Sequence, residues 1–260
     1  RDGHHGFFFE SFRIAARERY TAETEDEPSP KRISCEWHRL LAAYFDGIPI
    51  WFEIEDAEKP VPNTRKLAEQ PYHQGRGELG EELVSTLTNF QFLDAKVQAL
   101  GPQFLIEDFE MALFPRKNLI LKAVDKARED LILVQRALRL SITVLSKFPD
   151  QTSSQLTGRL LYNNTGKIQH LLAQIRKLNR PWLRPLTQSL IQAGGALIQT
   201  IPVTGEQIKV AISPDANWML TSNEDGVVEA WDFRTGKKYG GMKIDSVSDE
   251  DNSIAISLDG

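Results

Sequence analysis

The chain has 260 residues, 41% hydrophobic and 26% charged, which is the composition of a globular protein of one to three domains with room to bury a core. No apolar run approaches the ~20 residues that a membrane helix requires, and a net charge of −5 argues against nucleic acid as the main partner, because phosphate binding is driven by cationic surface. The single cysteine, Cys35, excludes an internal disulfide framework and a zinc site of cysteine pairs, so a reducing compartment, the cytoplasm, is expected.

Residues 1–22 open with a polar turn that includes His4-His5, followed by Phe7-Phe8-Phe9. Phe8, Phe12, Ala15, Ala16 and Tyr20 then fall at helical spacing, which predicts a short strand running into an amphipathic helix. Residues 23–32 read as a linker: four acidic residues precede two prolines, and nothing apolar is available to bury.

From residue 33 to 179 the period is helical. Ser34 is placed to cap a helix carrying Trp37, Leu40, Leu41, Tyr44 and Phe45 on one face. Residues 47–62 read as a loop with Ile48, Ile50, Trp51 and Phe52 available to dock. Asn63 is placed to cap the next helix, which holds Leu67 and Tyr72 and is bent by Pro71. Residues 78–88 present Leu79, Leu83 and Leu87; a short helix with Phe90, Phe92, Leu93 and Val97 follows; Pro102 opens another with Phe104, Leu105, Phe109 and Leu113. The strongest helix spans 127–148, with Leu131, Val134, Leu138, Ile142 and Leu145 on one face and Leu133, Ala137, Leu140 and Val144 on a second. Apolar on two sides, it is expected to be the sandwiched spine of a helical bundle or solenoid. Two further helices are predicted at 152–162 and 165–178.

Residues 180–195 form a junction in which Pro181 and Pro185 enforce an extended path and Trp182 pins it against the helices. Residues 196–201 read as a strand. Residues 208–213, 218–222 and 227–233 are three more, separated by the turn Ser213-Pro214-Asp215-Ala216-Asn217 and by Asp225-Gly226, a dipeptide suited to a tight hairpin. The run Val210-Ala211-Ile212-Ser213-Pro214-Asp215 returns about 44 residues later as Ile254-Ala255-Ile256-Ser257-Leu258-Asp259. A period of that length with about four short strands is what a propeller blade requires.

Ser213-Pro214-Asp215, Asp225-Gly226 and Trp231-Asp232 resemble the S-P-D-G, D-G and W-D elements of a WD repeat. One departure is Gly205-Glu206 where such repeats open with Gly-His, so the hydrogen-bonded tetrad that braces many blades lacks its histidine. Upstream, Asn63-Thr64-Arg65-Lys66-Leu67, Gln70-Pro71-Tyr72-His73, Phe92-Leu93-Asp94-Ala95-Lys96 and Arg180-Pro181-Trp182-Leu183-Arg184-Pro185-Leu186 are similar to the helical segment of NACHT–WD-repeat proteins, with Gln70 and Gln74 where leucines are usual. Residues 1–22 resemble the end of the winged-helix domain of NACHT and NB-ARC NTPases, with Phe9 at the nucleotide-sensing histidine position and Glu10 at the acidic one. The resemblance implies a multidomain chain, mainly α followed by all-β: the end of a winged helix (1–22), a linker (23–32), a helical linker domain (33–179), a junction (180–195), and the first blade plus the start of a second (196–260). It also implies a piece of a longer protein, cut at both ends.

Chemistry is sparse. There is no Gly-rich phosphate loop followed by Lys and Ser or Thr, so ATP and magnesium are expected only in an upstream NTPase, with no cofactor in this chain. Glu36 and His38, two apart on a helix, diverge by ~200°. The carboxylates Glu53, Glu55, Asp56 and Glu58, and Asp245, Asp249, Glu250 and Asp251, lack the order of a calcium loop. Cys35 beside Trp37 reads as core. The resemblance therefore implies a non-catalytic sensing and relay segment: a protein partner or ligand binds the complete propeller, the helical domain conveys the change, and the upstream ATPase oligomerises. Two alternatives stand beside it, a passive scaffold of helical repeats and propeller without an NTPase, and an accessory part of an enzyme whose site lies elsewhere.

Overall fold

The computed structural model describes residues 30–53, 60–115, 121–187, 189–201, 203, 209–233, 235–244 and 254–257. The expectations for residues 1–29, for His4-His5, for Glu55, Asp56 and Glu58, and for Asp245, Asp249, Glu250 and Asp251 lie outside them. A helical unit is followed by a four-stranded antiparallel sheet.

Helix α1 spans Pro30–Asp46. It begins four residues before the expected cap Ser34, which lies inside it, because a proline is well tolerated in a first helical turn, where its missing N–H has no partner to lose. The expected loop 47–62 contains a short antiparallel ribbon, β1 (Trp51–Phe52) with β2 (Val61–Pro62). Helix α2, Thr64–Arg76, is capped as expected: the Asn63 side chain accepts from the backbone N–H of Lys66 at 3.0 Å. Helices α3 (Gly80–Leu87), α4 (Phe90–Leu100) and α5 (Pro102–Leu113) follow with minimal connections. Gly101, at φ 92°, both ends α4 and starts α5, a left-handed conformation that glycine adopts without Cβ strain. After the short α6 (Lys122–Lys126) comes α7 (Arg128–Lys147), then α8 (Thr152–Leu160) and α9 (Gly166–Arg176).

The core runs through α3 to α9. Leu83, Leu87, Phe90, Leu105, Phe109, Leu131, Leu138, Leu156 and Leu171 are all but fully buried in one continuous cluster. Helix α7 packs on α5, α8 and α9 and is the expected spine. Its buried surface is not purely apolar. Gln135 and Arg139 both donate to the Glu110 carboxylate of α5, and the Ser141 hydroxyl donates to its own helix at Ala137. A smaller cluster of Leu67, Phe92 and Ala95 takes up Ile50 and Trp51 from the ribbon, while Phe52 stays exposed.

The sheet has the order β3 (Lys209–Ile212), β4 (Trp218–Ser222), β5 (Val227–Asp232), β6 (Lys238–Lys243), a simple meander. Strands β3 to β5 fall where the alternation of apolar residues puts them. Strand β6 was not anticipated, because Gly240-Gly241 between lysines has no strand-like composition. Residues 196–201 and 254–257, expected as strands, carry no strand pairing.

Candidate interaction and relay site

The motif residues of the sheet are spent on its turns and on its one braced face. Ser213 Oγ donates to Asp215 Oδ1 at 2.6 Å and accepts from the N–H of Trp218 at 2.8 Å, while Asp215 accepts from the backbone and side chain of Asn217. These bonds hold the Asp215 carboxyl below its ordinary range, the Ser213 hydroxyl contributing most. Pro214 rigidifies the same turn. The next hairpin is longer than an Asp-Gly dipeptide turn. Gly226 N–H donates to Asn223 O and the Asn223 side chain accepts from Val227 N–H, so Glu224, Asp225 and Gly226 form a three-residue loop with Gly226 at φ 74°. Trp231 is buried, and its indole N–H donates to Thr221 Oγ1 on β4 at 3.0 Å. Asp232 accepts from the N–H of Thr235 and so closes the β5–β6 turn.

The junction is not a free connector. From residue 180 to 195 the chain lies across the helical unit as a strap, fixed at five places. Arg180 pairs with Asp94 of α4 at 2.8 Å. Trp182 packs on the main core. Ser154 Oγ donates to Leu183 O at 2.7 Å. Arg159, buried on α8, donates to Ile191 O at 2.9 Å, and the Ala193 N–H returns to Arg159 O. Gly158 leaves the seat for the strap: a Cβ there would stand 2.9 Å from Leu190 Cδ1 and 3.4 Å from Pro185 Cγ. Pro181 itself is exposed. Arg159 also donates to Ser141 Oγ and Leu140 O, all neutral oxygens, and its burial lowers the guanidinium pKa from the usual value.

Beyond the strap, the Gln199 side chain donates to Phe233 O at 2.6 Å, and Ile201 lies against Gly236. In the same β5–β6 turn, Lys237 Nζ stands 2.7 Å from Glu107 Oε1 of α5, which raises the lysine pKa. Glu107 lines a shallow groove of about 420 Å3 together with Glu69, Tyr72, Phe104, Asp108 and Met111. Its floor is a buried ion pair, Lys96 Nζ to Asp108 Oδ2 at 2.5 Å. Burial pushes the Asp108 carboxyl up to about 6, against the pull of the lysine. The turn of the sheet thus touches α5 one residue away from a charge pair in the helical interior.

Two further expectations meet the structure at α1. His38 turns away from Glu36 and meets His73 of α2, Nδ1 to Nδ1 at 2.7 Å, with Phe45 stacked on His73. Burial, then the neighbouring His73 and Arg76, lower the His38 pKa to about 4. Cys35 is half-buried with a free thiol. Gln70 and Gln74, at the positions where leucine is usual in the resembling segment, are buried, and the Gln70 amide donates to Asp46. Among the described residues no group of three or more His, Cys, Asp or Glu is gathered to hold a metal ion, and no helix is long and apolar enough to cross a membrane.

Comparison with known proteins gives no relatives: no family model, no curated protein and no solved structure matches the chain. Of the strap, the sequence showed only the extended path and the docking of Trp182 on the helices; its polar anchors and the Lys237–Glu107 contact were invisible there. The arginine and glycine of α8 that seat the strap carry no periodic signal, although an arginine among the apolar positions of an expected core helix is the feature that points to it.

Proposed function

We propose that the chain is a non-catalytic sensing, relay and protein-interaction segment of a NACHT-type signal-transduction ATPase, its four-stranded sheet being one blade of a WD-repeat propeller. The observation that carries the relay is the strap. It binds α4, α7 and α8 along its length and leads directly into residues that touch the β5–β6 turn, so a displacement of the sheet is delivered to the helical interior. The blade reading is supported by the indole bond of Trp231 to Thr221, which braces β4 against β5 without a histidine, and by the closed Ser213–Asp215 turn. On this reading a protein partner or ligand binds the complete propeller. Homo-oligomerisation and ATP belong to the upstream NTPase; neither nucleic acid nor a membrane is a partner, and the compartment is the cytoplasm.

The test is to disturb the sheet and read the helices. Trp231→Ala should raise amide exchange not only in β4 and β5 but also around Glu107 and Arg159. Unchanged exchange in α5 and α8 would mean two uncoupled units, and the relay reading would give way to the passive scaffold.

A further inference from the structure

Two charge contacts meet at adjacent residues of α5. On the sheet side, Lys237 Nζ of the β5–β6 turn reaches Glu107 Oε1, and both side chains are partly exposed. On the helical side the next residue, Asp108, is paired with Lys96 of α4, whose side chain is 2% exposed. Glu107 and Asp108 line the same groove, and each carboxylate lies in the field of the other. Among the described residues, the groove's further polar groups come from α2. They are Glu69, 3.5 Å from His73, and Tyr72, with Arg76 5.9 Å from its ring centroid. Of all these groups only Lys237 belongs to the sheet, so it is the one that a displacement of the sheet carries away.

We propose that Lys237 keeps the α4–α5 contact closed by way of Glu107. While its ammonium covers that carboxylate, Asp108 stays ionised on Lys96; when the sheet withdraws it, Asp108 takes up a proton from solvent through the groove and releases Lys96. Resting on the relay reading above, this gives the signal a carrier, a proton bound in the helical interior. Burial pushes the Asp108 carboxyl up to about 6 against the attraction and hydrogen bond of Lys96, and the negative charge of Glu107 pushes it the same way. A carboxyl that titrates so close to neutrality needs only a modest change of field to alter its proton occupancy. Uncovering Glu107 supplies a change of the right sign. Once Asp108 is neutral, the Lys96 ammonium is buried without a counter-charge, which favours opening of the contact.

Carbon NMR of the full chain, isotope-labelled at the aspartate carboxyls, tests this, with the Asp108 signal assigned by its loss in Asp108→Asn. The unaltered protein should titrate at Asp108 near pH 6. Lys237→Met should move the midpoint to higher pH, and Lys237→Arg, which keeps the charge, should leave it in place. Glu107→Gln should move it to lower pH, and adding Lys237→Met to Glu107→Gln should no longer raise it. An equal upward shift from Lys237→Met in both backgrounds would overturn the route through Glu107. A midpoint that stays put in Lys237→Met, while Trp231→Ala still reaches α5, would overturn the proton carrier and leave a mechanical relay. A midpoint that moves as expected, while Trp231→Ala leaves α5 untouched, would uphold the charge coupling and remove the relay.

Discussion

Arg159 holds the carbonyl of Ile191 at 2.9 Å, tying helix α8 to a strap residue 32 positions downstream. A buried guanidinium whose bonds go to neutral oxygens gives each of them the strength of a charge-assisted contact without a second charge to desolvate. Arg159→Leu should therefore cost about 2–3 kcal/mol. Gly158→Ala should be nearly neutral, the helical gain of about 1 kcal/mol offsetting a displaced Leu190 side chain, whereas Gly158→Val should overfill the seat at about 1–3 kcal/mol. Limited proteolysis reads both effects. The resistant fragment of the unaltered protein should extend through Ala193, which is 1% exposed, and should shorten toward residue 178 in Arg159→Leu and Gly158→Val.

Ala216 sits at φ 54° in the turn after β3, where a Cβ is strained. Ala216→Gly removes that strain, and the gain exceeds the extra entropy of the unfolded glycine. The sheet should become more stable by about 0.5–1 kcal/mol, seen as slower exchange at Trp218 and Met219 with no change in α7. A loss of stability would mean that the positive φ is not retained in solution.

The Lys96–Asp108 pair is buried beneath the groove. Removing only the cation, Lys96→Met, strands a carboxylate and should cost about 3–5 kcal/mol in urea unfolding. Replacing both partners, Lys96→Met with Asp108→Leu, should restore most of that loss, because two apolar side chains need no mutual charge. If the double variant is as unstable as the single, the pair has a role beyond its own neutralisation.

His38 is held neutral, its pKa lowered to about 4 from an ordinary value near 6.5. The unfolded histidine takes up a proton first. Its contribution is complete above pH ~6.5 and is lost progressively as the pH falls toward ~4. Arg65 and Arg76 oppose a second positive charge here, and Glu69, 3.5 Å from His73, is the nearby acid that favours one. Relative to the intrinsic exchange rate at each pH, the protection of α1 amides should fall across that interval while that of α7 is retained. His38→Asn should flatten the dependence.

Periodicity told which residues share a face, and for α7 that was enough: Leu131, Val134, Leu138 and Leu145 are buried as their spacing requires. It could not tell what covers a face: of the stripe expected on α1, Phe45 is buried against His73 of α2, whereas Trp37, Leu40, Leu41 and Tyr44 are exposed. Polar residues were the other limit. Gln135, Arg139 and Arg159 read as solvent-facing by type, but each finds an oxygen in a neighbouring element, a pairing fixed by tertiary geometry and not by local sequence. In the sheet, turn chemistry marked the three strands between residues 209 and 232. Strand β6 is set by its main-chain bonds to β5 together with the Lys238–Glu229 pair and the Tyr239–Trp218 ring contact, none of which its two glycines reveal.

Strand β6 also decides how the sheet ends. All six of its residues are exposed, and among the described residues it is the last strand of the sheet, an edge on which another extended chain could lie. Lys238 and Lys243 stand at its two ends, and two copies laid antiparallel in register would set each lysine opposite the other copy's lysine. Lys238 is already held by Glu229 Oε1 of β5 at 2.5 Å, so the charge that would weigh against such pairing falls chiefly on Lys243.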